Sequence, residues 1–124
     1  MLKRSLYDAL LNWKANNHQK ALMVDGPRQV GKTFLLEEFG RREYRDLVKI
    51  DFLVDEDVRR RFGSAQSAAR VIELVSLIAG HELVPGETLV FFDEVQMSQN
   101  LVTFSKYLVI DGRFDLAMSG SMLG

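Results

Sequence analysis

The chain contains no cysteine and only two histidines among its 124 residues. The lack of cysteine excludes disulfides and thiolate metal sites, and it makes the cytoplasm the simplest compartment to expect. His18 and His81 stand far apart and lack the spacing of a metal motif, so we expect surface or packing roles for both.

Long apolar runs and an excess of one charge are also missing. No run reaches the ~18–20 apolar residues that a membrane-spanning helix needs, and the basic start Met1–Arg4 precedes an amphipathic stretch rather than a signal-peptide core. A net charge of −1 and a pI near 6.1 give no general attraction to nucleic acid or to anionic membranes. The composition predicts one globular domain over residues 1–124, in which we expect an N-terminal helix at about 4–16 and a core at about 20–124.

What the chain does contain is one complete phosphate-binding loop of the pattern G-x-x-x-x-G-K-[ST]. The two glycines allow the backbone N–H groups to converge on phosphate oxygens. The lysine ammonium is expected on the β- and γ-phosphates, and the threonine hydroxyl on Mg²⁺. The eight residues are Gly26, Pro27, Arg28, Gln29, Val30, Gly31, Lys32 and Thr33.

The flanking sequence favours a phosphate site over a glycine-rich turn with a nearby lysine. The apolar segment Ala21–Val24 predicts a buried strand before the loop. Phe34, Leu35, Leu36 and Phe39 predict a helix after it, and Gly40 is the expected stop signal. Strand, loop and helix in this order are the context that a phosphate-binding loop requires. Phe34, at the start of that helix, is included among the residues expected to contact the nucleotide.

Other segments alternate between helical and strand patterns. Helical spacing appears around Leu6–Trp13, where Ser5 and Asp8 predict a capping box, and again in an apolar stripe from Ala68 to Ile78 that Gly80 ends. A third helical pattern, Leu101 to Leu108, ends near Asp111 and Gly112. The predicted strands are Leu47–Phe52, Thr88–Phe92 and Phe114–Met118, and Asp55 to Asp57 is expected to be a charged turn.

This alternation predicts an α/β fold with a parallel sheet between two helical layers. In such a sheet the functional loops lie at the carboxyl edge of the strands. The basic run Arg59–Arg61 is interpreted as a solvated face in preference to a phosphate or nucleic-acid contact.

The second half of the predicted site is Asp93-Glu94, directly after the most apolar strand. Asp93 supplies a carboxylate for the Mg²⁺ that Thr33 would contact, and Mg²⁺ keeps several waters, so two protein ligands suffice. Glu94 is placed to act as general base on an attacking water. Asp93 is therefore a candidate metal ligand, and Glu94 and Lys32 are candidate catalytic residues.

Polar residues after the last two predicted strands have more than one interpretation. Ser119 or Ser121 either senses the γ-phosphate or orients the attacking water, or belongs to a small-residue turn. Gln96 either touches the attacking water or a neighbour, or makes a plain loop contact.

Other nucleotide enzymes fit less well. The chain has no N-K-x-D segment for guanine and no D-x-x-G switch after the loop. A small-molecule kinase shares the loop and the sheet and stays open as an alternative. The adjacent Glu94 favours water as the acceptor.

Together the phosphate loop, the segment Phe92 to Gln96 and Ser119-Gly120-Ser121 resemble the AAA-type ATPase domain of a large bacterial and archaeal family. In that family a C-terminal domain of unknown function follows the ATPase module. The resemblance covers about Arg4 to Gly124. It implies a RecA/AAA-like P-loop core that binds ATP and Mg²⁺, with Lys32 and Thr33 on phosphate and metal, Asp93 on metal and Glu94 as base. It also implies that Ser119 or Ser121 takes the sensor position.

The chain departs from the family at its C-terminal end. The fifth core strand, the arginine finger and the C-terminal domain have no counterpart, so we expect a truncated module with one sheet edge unpaired and a tendency to self-associate. An arginine finger contributes about 10³–10⁵ in rate where it is used. ATP binding should then be better preserved than turnover. An ATP/ADP-sensing switch and an interaction module with little hydrolysis remain the alternatives, with an unidentified protein or the missing domain as partner.

Overall fold

The computed structural model describes residues 2–25 and 31–121, and for residues 2–4 it describes the backbone only. Within these ranges one or two helical segments separate each strand from the next, close to the alternation that the sequence predicts. In chain order the elements are α1 (Leu2–Asn16), β1 (Leu22–Asp25), α2 (Lys32–Glu43), β2 (Asp46–Asp51), α3 (Glu56–Gly63), α4 (Ala68–Ala79), β3 (Thr88–Asp93), a 3₁₀ helix (Val95–Met97), α5 (Asn100–Asp111) and β4 (Asp115–Gly120).

The four described strands form one parallel sheet in the order β1-β4-β3-β2. The predicted parallel α/β architecture is confirmed. The registers align the strand ends that carry the candidate site: Asp51 of β2 lies opposite Asp93 of β3, and Asp25 of β1 lies opposite Gly120 of β4. β3 and β4 are central, so the residues at their ends are flanked by neighbours on both sides.

Two hydrophobic cores cover the two faces of the sheet. Alternate residues of a strand point to opposite faces, and β3 is apolar at every position from Leu89 to Phe92 because both faces are covered. Leu89 and Phe91 pack with α1 and α2, on the face that also buries Leu10, Trp13, Leu36, Phe39, Tyr44 and Ala117. Val90 and Phe92 pack with α3, α4 and α5, on the face that also buries Phe52, Phe62, Val71, Val75, Leu101, Leu108 and Leu116.

The helix after the phosphate loop does not stop at Gly40. Helix α2 continues to Glu43, and Gly40 is buried inside it. A Cβ at Gly40 would lie 2.7 Å from Leu47 Cδ1 and 3.2 Å from Leu89 Cδ2. The glycine is therefore explained by the close approach of α2 to the sheet, whereas Gly80 and Gly112 do end their helices in left-handed conformations.

Two other local expectations also need correction. Helix α1 begins at Leu2, so Ser5 lies inside the helix and does not form the predicted capping box with Asp8. Asp55 is not part of a simple turn: its side chain accepts a hydrogen bond from Val58 N and caps α3, which Glu56 and Asp57 begin.

The basic run lies on α3 and is mainly structural. Arg60 and Arg61 both pair with Asp57 on the exposed helix surface. Arg59 donates hydrogen bonds to the carbonyl oxygens of Phe52 and Leu53, at 3.0 and 2.9 Å, and so fastens α3 to the end of β2.

None of the helices in residues 2–25 and 31–121 is long and apolar enough to cross a membrane.

Candidate functional site

The candidate site lies at the carboxyl edge of the sheet, where β1 leads towards α2. The predicted phosphate contacts of Gly26, Pro27, Arg28, Gln29 and Val30 lie outside the described residues. Gly31 is described, and its φ of 108° explains why a glycine is needed there. Its carbonyl oxygen accepts a hydrogen bond from Leu35 N at 2.8 Å, which starts helix α2.

The first turn of α2 brings Thr33 to the end of β3. Thr33 Oγ1 donates a hydrogen bond to Asp93 Oδ2 at 3.0 Å, across sixty residues of sequence. Thr33 and Asp93 were the two predicted metal ligands, and the fold places their oxygens side by side.

Lys32, beside Thr33, is directed towards the end of β4. Its Nζ lies 3.5 Å from the carbonyl oxygen of Gly120, at the outer limit for a hydrogen bond. The helix N-terminus adds its partial positive charge to that of the ammonium. The described part of the loop thus concentrates positive charge where an anion is expected.

Asp93 is a buried carboxylate with an unused acceptor. The residue is only 3% exposed, and its Oδ1 has no hydrogen-bond partner among the described residues. Burial raises the pKa of Asp93, the hydrogen bond from Thr33 opposes that rise, and the nearby negative charges of Asp51 and Glu94 add to it. A buried acceptor without a donor is costly, which fits a position that a cation would complete.

The donor set at this edge fits Mg²⁺. One hydroxyl and one carboxylate are hard oxygen ligands, and Mg²⁺ is commonly held by one or two such groups together with water and phosphate oxygens. No cluster of three or more histidine, aspartate or glutamate side chains that could hold a metal occurs in the parts of the chain that the structure describes.

Glu94 follows Asp93 with an unusual backbone conformation. Its φ of 57° and ψ of 46° are left-handed, and among the described residues no other non-glycine has a positive φ. This conformation is uncommon for a residue with a Cβ and is concentrated at functional sites. It turns the chain out of β3, so that two adjacent acids take different positions: Asp93 is buried and Glu94 is partly exposed.

Gln96 makes a specific contact rather than a plain loop contact. Its Nε2 donates to Glu94 Oε1 at 2.8 Å, and its Oε1 accepts from Ser121 N at 3.2 Å. Ser119 is fully buried at the end of β4, and its Oγ has no hydrogen-bond partner among the described residues. The structure thus buries the hydroxyl of Ser119 without a described partner, while Ser121 contributes its backbone N–H to Gln96.

Phe34 is the least supported member of the predicted set. It lies in the first turn of α2 and is 55% exposed. Its contact with nucleotide stays a prediction.

The sequence patterns do not point to two residues that contribute to the site. Asp51 lies opposite Asp93 in the register of β2 and β3, and its charge raises the pKa of Asp93. Gly120 offers its carbonyl oxygen to Lys32. The position of Asp51 could have been predicted from the sequence. It is an acid at the end of a predicted strand, and neighbouring parallel strands place such end residues side by side.

A separate surface cavity of about 810 Å³ lies at the other edge of the sheet. It is lined by α4 residues between Arg70 and Leu77, the segment from Gly80 to Leu83, and Arg113, and it shares no residue with the candidate site. Its arginines are paired with acids: Arg70 with Glu73, and Arg113 with Asp111, both at 2.9 Å. The cavity is larger than many ligand sites, but the chemistry that the sequence predicts is elsewhere.

The profile of the AAA domain family matches residues 18–124. The chain belongs to the AAA domain family. Membership of this family makes the chain a P-loop ATPase module, as the resemblance of its motifs implies.

The fold of this AAA domain is also found among solved structures. The structure of C. elegans PCH-2 is similar with a TM-score of 0.56 and 16% sequence identity, over 99% of this chain and 35% of the PCH-2 chain. The AAA domain thus spans about a third of that chain, and at this identity the likeness concerns the fold alone. No curated protein matches the sequence.

Proposed function

We propose that the chain binds ATP with Mg²⁺ and hydrolyses it. The observation that carries this proposal is the hydrogen bond between Thr33 and Asp93, whose Oδ1 has no partner among the described residues. It brings the hydroxyl of the phosphate loop and the acid of β3 to one point, although the two residues come from different elements.

Each residue has one proposed role. Lys32 binds the β- and γ-phosphates, and Thr33 and Asp93 hold Mg²⁺, which when bound offsets the charge that develops on the phosphate oxygens. Glu94 accepts a proton from water as the water oxygen forms a bond to the γ-phosphorus and the bond to the β-γ bridging oxygen breaks. Ser119 is the better candidate for the γ-phosphate sensor, because its buried Oγ has no described partner.

Two matched variants test binding and turnover separately. Glu94→Gln should bind Mg-ATP like the parent and lower the rate of phosphate release by roughly 10²–10⁴, the usual contribution of a general base. Lys32→Ala should weaken Mg-ATP binding by roughly 10–100-fold, because it removes charged hydrogen bonds. The exposed Lys106→Ala is the control for loss of one lysine and should behave like the parent.

The outcomes also separate the alternative functions. Tight Mg-ATP binding with background phosphate release in the parent would favour an ATP/ADP-sensing switch. No Mg-ATP binding in isothermal titration would favour an interaction module. Phosphate transfer to an added acceptor rather than to water would favour a kinase.

We further propose that nucleotide turnover acts on an attached domain or on a protein partner, and that the chain works in the cytoplasm. Among the described strands β1 has a neighbour on one side only, namely β4. An edge strand is a ready surface for pairing with another chain. Sedimentation of the purified chain over a range of concentrations tests self-association directly, and a constant monomer mass would contradict it.

A further inference from the structure

The side chain of Gln96 joins the proposed base to the end of β4. Its two polar atoms bond in opposite directions, Nε2 to Glu94 Oε1 at 2.8 Å and Oε1 to Ser121 N at 3.2 Å. A backbone N–H only donates and a carboxylate only accepts, so this orientation of the amide is the one that satisfies both partners. Gln96 is therefore suited to both neighbours at once.

Gly120 makes room for this bridge. A Cβ on Gly120 would overlap Gln96 Oε1 and would also lie 3.4 Å from Gln96 N. Gly120 has no positive φ, so its backbone conformation does not require glycine. Glycine is therefore explained at this position by the close approach of the Gln96 side chain.

The end of β4 is contacted from the phosphate side as well. Lys32 Nζ lies 3.5 Å from Gly120 O, one residue before the amide that Gln96 accepts. The last residues of β4 thus lie between the lysine proposed for the phosphates and the glutamine that holds Glu94. Fixing the base against this strand end fixes it relative to the proposed phosphate site.

We propose that Gln96 is a positioning residue that holds the Glu94 carboxylate in place for catalysis, using the end of β4 as its anchor. This inference rests on the proposed ATPase function and concerns the same site. One Glu94 oxygen accepts the glutamine N–H, which limits rotation of the carboxylate. A general base must be held within hydrogen-bond reach of the proton it removes, so loss of this restraint should affect turnover rather than binding.

Two substitutions of similar length separate the two ends of the bridge. Gln96→Glu keeps an acceptor for Ser121 N but loses the donor to Glu94 and places a second negative charge beside it. Gln96→Met loses both hydrogen bonds without adding charge. Gln99→Met is the matched control, because Gln99 is exposed and its side chain makes no capping hydrogen bond.

The measurements are steady-state phosphate release and equilibrium binding of Mg-ATP to the full chain. Both Gln96 variants should lower kcat by roughly tenfold or more, a part of the 10²–10⁴ that a general base contributes, while KM and the binding constant change by less than about threefold. Gly120→Ala should reproduce the loss of kcat by displacing Gln96. Gln99→Met should keep the parental kcat.

Parental kcat in Gln96→Glu would overturn the inference, since it would show that anchoring Ser121 is all that Gln96 does. If Gln96→Met does not fold, as judged by thermal melting, hydrogen exchange of the Ser121 amide in the parent tests the bridge instead. Slow exchange supports the bridge, and exchange at the rate of an unprotected amide overturns it. Failure of the proposed function looks different. There the parent and Glu94→Gln would release phosphate at the same rate, and both proposals would fall together.

Discussion

Thr33 Oγ1 and Asp93 Oδ2 lie 3.0 Å apart, although sixty residues separate them in the sequence. The first turn of α2 and the end of β3 create this proximity. Thr33→Val removes the hydroxyl and keeps the side-chain shape, so it should weaken nucleotide binding in Mg²⁺ by roughly 10-fold or more while changing binding in EDTA little. Thr33→Ser keeps the hydroxyl and should bind like the parent, as measured by isothermal titration in both buffers. Equal losses with and without Mg²⁺ would contradict a metal role.

Asp93→Asn should separate stability from metal binding. The carboxylate of the parent is almost fully buried, and one of its oxygens has no hydrogen-bond partner in the part of the chain that the structure describes. An asparagine at the same position carries no charge to desolvate. We expect the nucleotide-free protein to become more stable by about 1 kcal/mol, the scale of one buried polar group, and to lose the stabilisation that Mg-ATP gives the parent. Thermal melts with and without Mg-ATP test both effects. A variant less stable than the parent would show that the carboxylate is structurally satisfied.

The hydroxyl of Tyr44 makes the protein sensitive to alkaline pH. It donates to Asp115 Oδ2 at 2.6 Å, and burial together with this bond raises the pKa of Tyr44 from its ordinary 10.0. Above pH 10.0 the unfolded chain loses this proton while the folded chain keeps it, so the free energy of unfolding falls by up to about 1.4 kcal/mol per pH unit.

Tyr44→Phe should remove this part of the alkaline slope. At pH 7 the variant should be less stable by about 1–3 kcal/mol, because Asp115 loses a buried donor. Urea unfolding at pH 7 and at several values above 10 measures both quantities. The same slope in the variant and the parent would contradict the assignment to Tyr44.

Gly40 and Gly63 should respond oppositely to alanine. Both lie in helices, where alanine is favoured over glycine by up to about 1 kcal/mol. A Cβ at Gly40 meets Leu47 and Leu89, and overpacking of this kind costs roughly 1–3 kcal/mol, whereas a Cβ at Gly63 meets nothing within 4 Å. Urea unfolding should show that Gly40→Ala is destabilising and that Gly63→Ala is neutral or stabilising. Stabilisation by Gly40→Ala would show that Leu47 moves aside at little cost.

The sequence predicts the fold well because most elements have a distinct hydrophobic pattern. The short, unbroken apolar run from Leu89 to Phe92 is typical of a strand covered on both faces, and the structure has it at the centre of the sheet. Gly40 could not be interpreted in the same way. A glycine that ends a helix and a glycine that lets a helix approach a sheet look alike until Leu47 and Leu89 are known to lie against it.

The sequence predicts which residues form the candidate site but not the hydrogen bonds between them. Thr33, Asp93 and Glu94 follow from motif spacing, because each type of residue matches one step of the chemistry. The bridge from Gln96 to Ser121 depends on how close the 3₁₀ helix comes to the end of β4. The number of residues between the two does not predict that distance. The left-handed backbone of Glu94 is likewise visible only in three dimensions.

Alternate residues of β3 pack into two different hydrophobic cores, so no residue can be added to or removed from the strand without a change of its register. Insertion of a single residue within β3, between Thr88 and Leu89, would exchange the side chains of the two faces, so that those fitted to α1 and α2 would face α4 and α5. The same slip would rotate Asp93 away from Thr33. Insertions and deletions should therefore be tolerated in the segment from His81 to Glu87 but rejected within the strand, and a library of such length variants would map that boundary by the fraction that remains folded.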